Sequence, residues 1–188
     1  SVTVEEGDIL GLIVPNGAGK STFFNCLTGD LPTTSGTVHF AGVDVTRAPP
    51  ETRARLGLAR SFQVPLTFES MSVLDNVTIG ALLRHPNARD ARAKALTVLE
   101  RVGLGRLADQ PAKSLGTPGR KRLEIARALA SEPKALQLDE AMAGLTPTEV
   151  HEAIELVRRI HGGGITIVIV EHIMEVIVSL ARRVVVFH

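Results

Sequence analysis

The chain has 188 residues, enough to bury a proper core as about one domain, and its 44% hydrophobic and 22% charged residues are the balance of an ordinary soluble protein. A net charge of +1, with neither Trp nor Tyr, argues against a general polyanion binder and against base-stacking platforms for nucleic acid. The single cysteine, Cys26, excludes an internal disulfide, no apolar run approaches a membrane span, and the opening residues lack the order of a signal peptide, so a cytosolic protein touching membranes only through partners is expected.

In chain order, Val2 and Val4 alternate with polar neighbours as in a short strand, and a turn at 5–8 leads into the apolar run 9–13. Residues 14–22, Val-Pro-Asn-Gly-Ala-Gly-Lys-Ser-Thr, then read as a phosphate-binding loop opening a helix with Phe23, Phe24 and Leu27. A hairpin strand is expected around 37–40. Pro49 and Pro50 suit the first turn of a helix that Gly57 ends, and a strand over 58–62 delivers Gln63. From 65 to about 130 apolar residues recur at helical spacing, which marks a helical insertion, and Arg120, Lys121, Arg122 and Arg127 on its last helix read as a solvated face. Beyond Pro133 the α/β alternation resumes. A short strand ends in Asp139-Glu140, a helix spans 148–160, a doubly buried strand over 165–170 ends in Glu171-His172, and a last helix and strand finish the chain.

The loop carries chemistry in each part. Glycines at 17 and 19 let successive main-chain N–H groups and the helix N-terminus point at phosphate oxygens; Lys20 adds a charge at the β- and γ-phosphates, and the Ser21 hydroxyl suits Mg²⁺. The strict pattern has glycine where this chain has Val14. If the turn required a positive φ there, the branched side chain would cost about 1–2 kcal/mol. Gln63, Asp139, Glu140 and His172 share an address with the loop: each falls at the carboxyl end of an expected strand, the edge where open parallel sheets bind ligands. Asp139 can hold Mg²⁺ through water, Glu140 can orient or deprotonate an attacking water, His172 can bond the γ-phosphate, and Gln63 can complete the metal shell.

The order of phosphate loop, glutamine, helical insert, Leu115 to Gly119, Asp139-Glu140, Ala143-Gly144-Leu145-Thr146 and His172 resembles the nucleotide-binding subunit of ABC transporters over nearly the whole chain. Segments 57–63, 71–77, 122–129 and 170–172 are similar to the ATPases of branched-chain amino-acid importers. The resemblance implies an α/β fold: a three-layer P-loop NTPase domain with a mainly parallel sheet, short antiparallel N-terminal strands and a helical subdomain. It implies one ABC ATPase domain over 1–188, incomplete at both ends, with a nucleotide-binding core of 1–63 and 132–188 and a helical subdomain of 64–131.

Carried onto this sequence, the family's roles give Glu140, His172 and Gln63 to catalysis, Asn16, Gly17, Ala18, Gly19, Lys20, Ser21 and Thr22 to nucleotide, and Ser21, Gln63 and Asp139 to Mg²⁺. Leu115, Gly116, Thr117 and Gly119 would face the ATP of a second ATPase subunit in a homo- or heterodimer closed head to tail. The helical insert and the region after Gln63 would dock on membrane permease subunits at the cytoplasmic face, with a solute-binding protein as an indirect partner and no nucleic acid. The departures weigh on turnover more than on binding. The family's Leu-Ser-Gly-Gly-Gln appears as Leu-Gly-Thr-Pro-Gly, in which Pro118 has no N–H to offer; Gln137 interrupts an apolar strand; Ala141 stands for a proline, and Thr146 for the Asp or Asn that crosses the dimer. A degenerate or truncated module of structural or regulatory use, with weak or no ATPase activity, is the alternative.

Overall fold

The computed structural model describes residues 2–15, 18–62 and 66–187. The first third holds β1 (Ile9–Ile13), α1 (Lys20–Thr28), β2 (His39–Phe40), β3 (Val43–Asp44), α2 (Pro50–Leu56) and β4 (Leu58–Arg60). Three helices follow: α3 (Val73–Ala81), α4 (Ala88–Val102) and α5 (Thr117–Ala130). The last third returns to alternation with β5 (Ala135–Asp139), α6 (Pro147–His161), β6 (Thr166–Val170), α7 (Met174–Leu180) and β7 (Arg183–Val186).

Five strands make one parallel sheet in the order β4-β5-β6-β1-β7, and β2 pairs antiparallel with β3. Because side chains alternate along a strand, the register sorts the sheet into two faces. Leu10, Leu12, Val168 and Val170 meet Phe24 of α1, while Ile9, Leu136, Leu138, Ile167 and Ile169 join residues of α5, α6 and α7 in the larger core. Three layers result, and all five parallel strands deliver their carboxyl ends to one rim.

The helices α3, α4 and α5 pack on one another, and a single glycine sets how closely. A Cβ on Gly80 of α3 would stand 2.2 Å from the Arg127 carbonyl oxygen of α5, so any side chain there forces the helices apart. Asn76 of α3, fully buried, accepts from the Phe68 N–H at 2.8 Å and donates to the Phe68 carbonyl at 3.0 Å and the Ser72 carbonyl at 2.9 Å. That fixes the stretch before α3 and leaves Leu66 and Phe68 on the surface.

Two expectations change. Val2 and Val4 lie in no strand: β2 and β3 pair with each other, and the Thr3 carbonyl is taken by the Arg183 guanidinium rather than by a sheet partner. The basic run on α5 is not uniformly solvated. Lys121 is 7% exposed, because it shares the helix face of Ile125 and Leu129, which point into the core.

Candidate functional site

The sharp turn into α1 rests on Gly19, which caps the helix at φ 85° and ψ 20°, a left-handed conformation that costs glycine nothing. Gly19, Ser21 and Thr22 are exposed, and the first N–H groups of α1 have no partners within the helix by construction. Val14 sits differently from the sequence-level concern. It is not among the positive-φ residues and is 2% exposed, packed with Leu10, Leu12 and Phe24, so its methyls point into the core. It continues the alternation of Leu10 and Leu12 one step beyond β1. Asn16, Gly17 and Gln63 lie outside the described residues.

Four of the expected site residues converge above the rim. The Lys20 ammonium bonds the Glu140 carboxylate at Oε1 and stands 3.5 Å from Asp139 Oδ1; the His172 Nε2 is 2.9 Å from the same Glu140 oxygen. Glu140 is also held through its main chain. Its N–H donates to the Val170 carbonyl at 2.9 Å, and its carbonyl accepts from the Ala143 N–H at 3.2 Å and from Lys121 Nζ at 3.0 Å. These contacts keep Glu140 at φ 47°, a region costing a non-glycine residue roughly 1–2 kcal/mol and typical of functional positions. Burial pushes the Glu140 carboxyl up, but the Lys20 ammonium and the His172 imidazole outweigh it and hold the group below its ordinary value of 4.5.

Asp139 is 3% exposed and is oriented by a residue that motif reading passed over. Arg60, at the end of β4, donates from Nη2 to Asp139 Oδ2 at 2.8 Å and from Nη1 to Asn25 Oδ1 of α1 at 2.7 Å. Its guanidinium lies 5.2 Å from the Phe24 ring centre and 5.0 Å from that of Phe62. With Oδ2 taken, Asp139 Oδ1 is left buried and without a hydrogen bond among the described residues, an oxygen suited to a divalent cation or its water. The Gln137 amide, two residues earlier on the same face and in register with Arg60, is buried with no hydrogen bond at either end among the described residues.

Behind the rim lie buried charges that sequence reasoning missed. Glu171, 2% exposed, accepts from the Met142 N–H at 2.8 Å, and Glu124 of α5, 6% exposed, accepts from the Phe62 N–H at 2.9 Å. Burial raises both carboxyls, and burial lowers Lys121, which Glu171, Glu124 and Glu140 partly restore. The available signal was the opposite charges of Lys121 and Glu124 one turn apart, in phase with the apolar stripe of α5.

The segment expected to meet a partner's nucleotide begins α5. Leu115 is buried; Gly116 caps the helix in an extended conformation, Gly116 and Thr117 are exposed, and Pro118 occupies the first turn, where its missing N–H costs the helix nothing. Thr146 serves its own chain: it caps α6, accepting from the Glu149 N–H at 3.4 Å while the Glu149 carboxylate accepts from the Thr146 N–H at 2.8 Å.

The ABC transporter family model matches residues 1–143. The chain is 37% identical to the high-affinity branched-chain amino acid transport ATP-binding protein LivG of Salmonella typhimurium, covering 98% of this chain and 78% of the relative. It is 33% identical to BraF of Pseudomonas aeruginosa, a protein of the same description, covering 100% of this chain and 80% of that one. Among solved structures, a nucleotide-free ATP-binding cassette from an ABC transporter superposes with a TM-score of 0.89 at 31% identity, over 99% of this chain and 79% of the other. The ADP conformation of the cassette MJ1267 gives 0.88 at 32%, over 99% and 78%. The chain belongs to the ABC transporter family, as one of its ATP-binding cassettes.

Proposed function

We propose that this chain is the ATP-hydrolysing subunit of an ABC importer for branched-chain or related amino acids, driven by ATP-dependent closure of a dimer. The observation that carries the reading is the meeting of Lys20, Asp139, Glu140 and His172 at one edge of the sheet, beside the N-terminus of α1. The triphosphate lies against the amides of 16–20, and Lys20 exchanges the Glu140 carboxylate for the β- and γ-phosphate oxygens. Losing its ammonium partner raises the basicity of Glu140, which His172 and the main-chain contacts keep in place to accept a proton from the attacking water. Ser21, Asp139 and Gln63 would hold Mg²⁺, and Asp139 Oδ1, buried without a hydrogen bond among the described residues and 3.5 Å from the Lys20 ammonium, fits that role. When bound, the ion neutralises charge on the phosphates.

Transmission to a permease is assigned to the surface around Phe62, Leu66 and Ile79, exposed apolar residues lining a cavity of about 200 Å³ with Arg60 and Glu124. No helix among the described residues is long and apolar enough to cross a membrane. The amino-acid substrate class follows the names of the relatives. A weakly active or regulatory module is the second reading, favoured by Pro118 at the start of α5, where an amide is missing. Purified chain assayed for Mg²⁺-dependent ATP hydrolysis, with and without co-expressed permease subunits, separates the two. Turnover that Glu140→Gln abolishes supports the importer ATPase; absence of both binding and turnover at millimolar ATP supports the second.

A further inference from the structure

The helix α5 reaches both sides of the rim through two buried charges on one face. Lys121 Nζ donates to the Glu140 carbonyl at 3.0 Å, and one turn on, Glu124 Oε1 accepts from the Phe62 N–H at 2.9 Å, directly before Gln63. The same helix starts at the exposed Gly116 and Thr117, followed by the half-buried Pro118 and Gly119, and Arg120 ties that start down through the carbonyls of Leu115 at 3.0 Å and Lys113 at 3.1 Å. A helix transmits displacement along its axis better than a loop, and Glu140 stands in a left-handed conformation that a small change at its carbonyl would disturb. Burying an ammonium and a carboxylate costs several kcal/mol each unless they are well paired, which makes a plain packing role a poor use of the two positions.

We propose that Lys121 and Glu124 are positioning residues that make α5 a stiff connection between the partner-facing segment 115–119 and the chain's own Glu140 and Phe62. Engagement of that segment by the nucleotide of a second copy then aligns the acid and the stretch entering Gln63 in this copy. The inference rests on the dimeric ATPase reading above. It makes the two nucleotide sites of a dimer cooperative through backbone contacts, with neither side chain touching ATP.

The test measures hydrolysis against ATP concentration for the full chain, with Mg-ATP affinity and thermal unfolding followed separately. Lys121→Met is expected to keep Mg-ATP affinity within about threefold while lowering kcat at least tenfold and bringing the Hill coefficient to 1, and Lys121→Arg to restore at least half of the lost kcat. Glu124→Met, which removes the acceptor at Phe62 and leaves Lys121 in place, is expected to lower kcat at least fivefold with the same loss of cooperativity, and it decides the matter if Lys121→Met does not fold. Wild-type kcat and Hill coefficient in a folded variant overturn the proposal, as does hyperbolic kinetics in the wild type. A wild type that neither binds nor hydrolyses Mg-ATP instead refutes the ATPase reading on which it rests.

Discussion

The rim around Glu140 and the start of α5, the two surfaces that the proposed function assigns to ATP, are built to different standards. At the rim, Glu140 is fixed at its N–H, its carbonyl and its carboxylate, and Asp139 by the Arg60 guanidinium. At the start of α5, Gly116 and Thr117 are exposed and Pro118 withholds an amide. The contrast teaches that a motif's departures must be weighed by where they fall: on the proposed dimeric reading those at 116–119 remove groups offered to a partner, whereas Val14 near the rim turns into the core and Lys20, Asp139, Glu140 and His172 still meet.

The largest expected effect breaks the stronger side. Glu140→Gln should lower turnover about 10²–10⁴-fold, the usual contribution of a positioned general base, with Mg-ATP binding retained in a filter or fluorescence titration. Next comes Val14→Gly, which restores the strict loop pattern on paper. With Val14 in the core, the substitution is expected to destabilise the fold by about 2–3 kcal/mol in denaturant titration and to give no gain in nucleotide affinity. Gln137→Leu works in the other direction. It removes a buried amide with no hydrogen bonds among the described residues and should stabilise the chain by about 1–2 kcal/mol. The smallest change sharpens the weaker side: Pro118→Gly returns one N–H to the partner-facing segment, and turnover under dimerising conditions should rise by up to about tenfold, the equivalent of one net hydrogen bond.

A pH series separates stability from catalysis at the rim. The Glu140 carboxyl is held below 4.5, so its contribution to stability is present above that value and disappears as pH falls through its folded-state pKa. The stability gap between wild type and Glu140→Gln, followed by thermal melts, should therefore narrow on acidification.

Much of this was legible in the chain because the relevant signals are local. The apolar run before a small-residue turn marked β1 and the start of α1, and the strand-end positions of Asp139, Glu140 and His172 put them on one edge by the logic of a parallel sheet. What stayed hidden depends on neighbours distant in sequence. Arg60 looks like a strand-end cation until β5 and α1 bring Asp139 and Asn25 to it, 79 and 35 residues away. Lys121 looks solvated within a basic run until its position on the apolar stripe is matched with the carbonyl it meets. Val14 could be placed only once Phe24 was seen to cover the same face, since a sequence does not print φ.

The central claim is that triphosphate at the N-terminus of α1 draws the Lys20 ammonium away from Glu140 and leaves the acid poised by His172. A crystal structure of the chain with Mg²⁺ and a non-hydrolysable ATP analogue measures this directly. The account predicts Lys20 Nζ within hydrogen-bond distance of β- or γ-phosphate oxygens and Glu140 still on His172; a Lys20–Glu140 pair left intact, with nucleotide bound elsewhere or not at all, would contradict it.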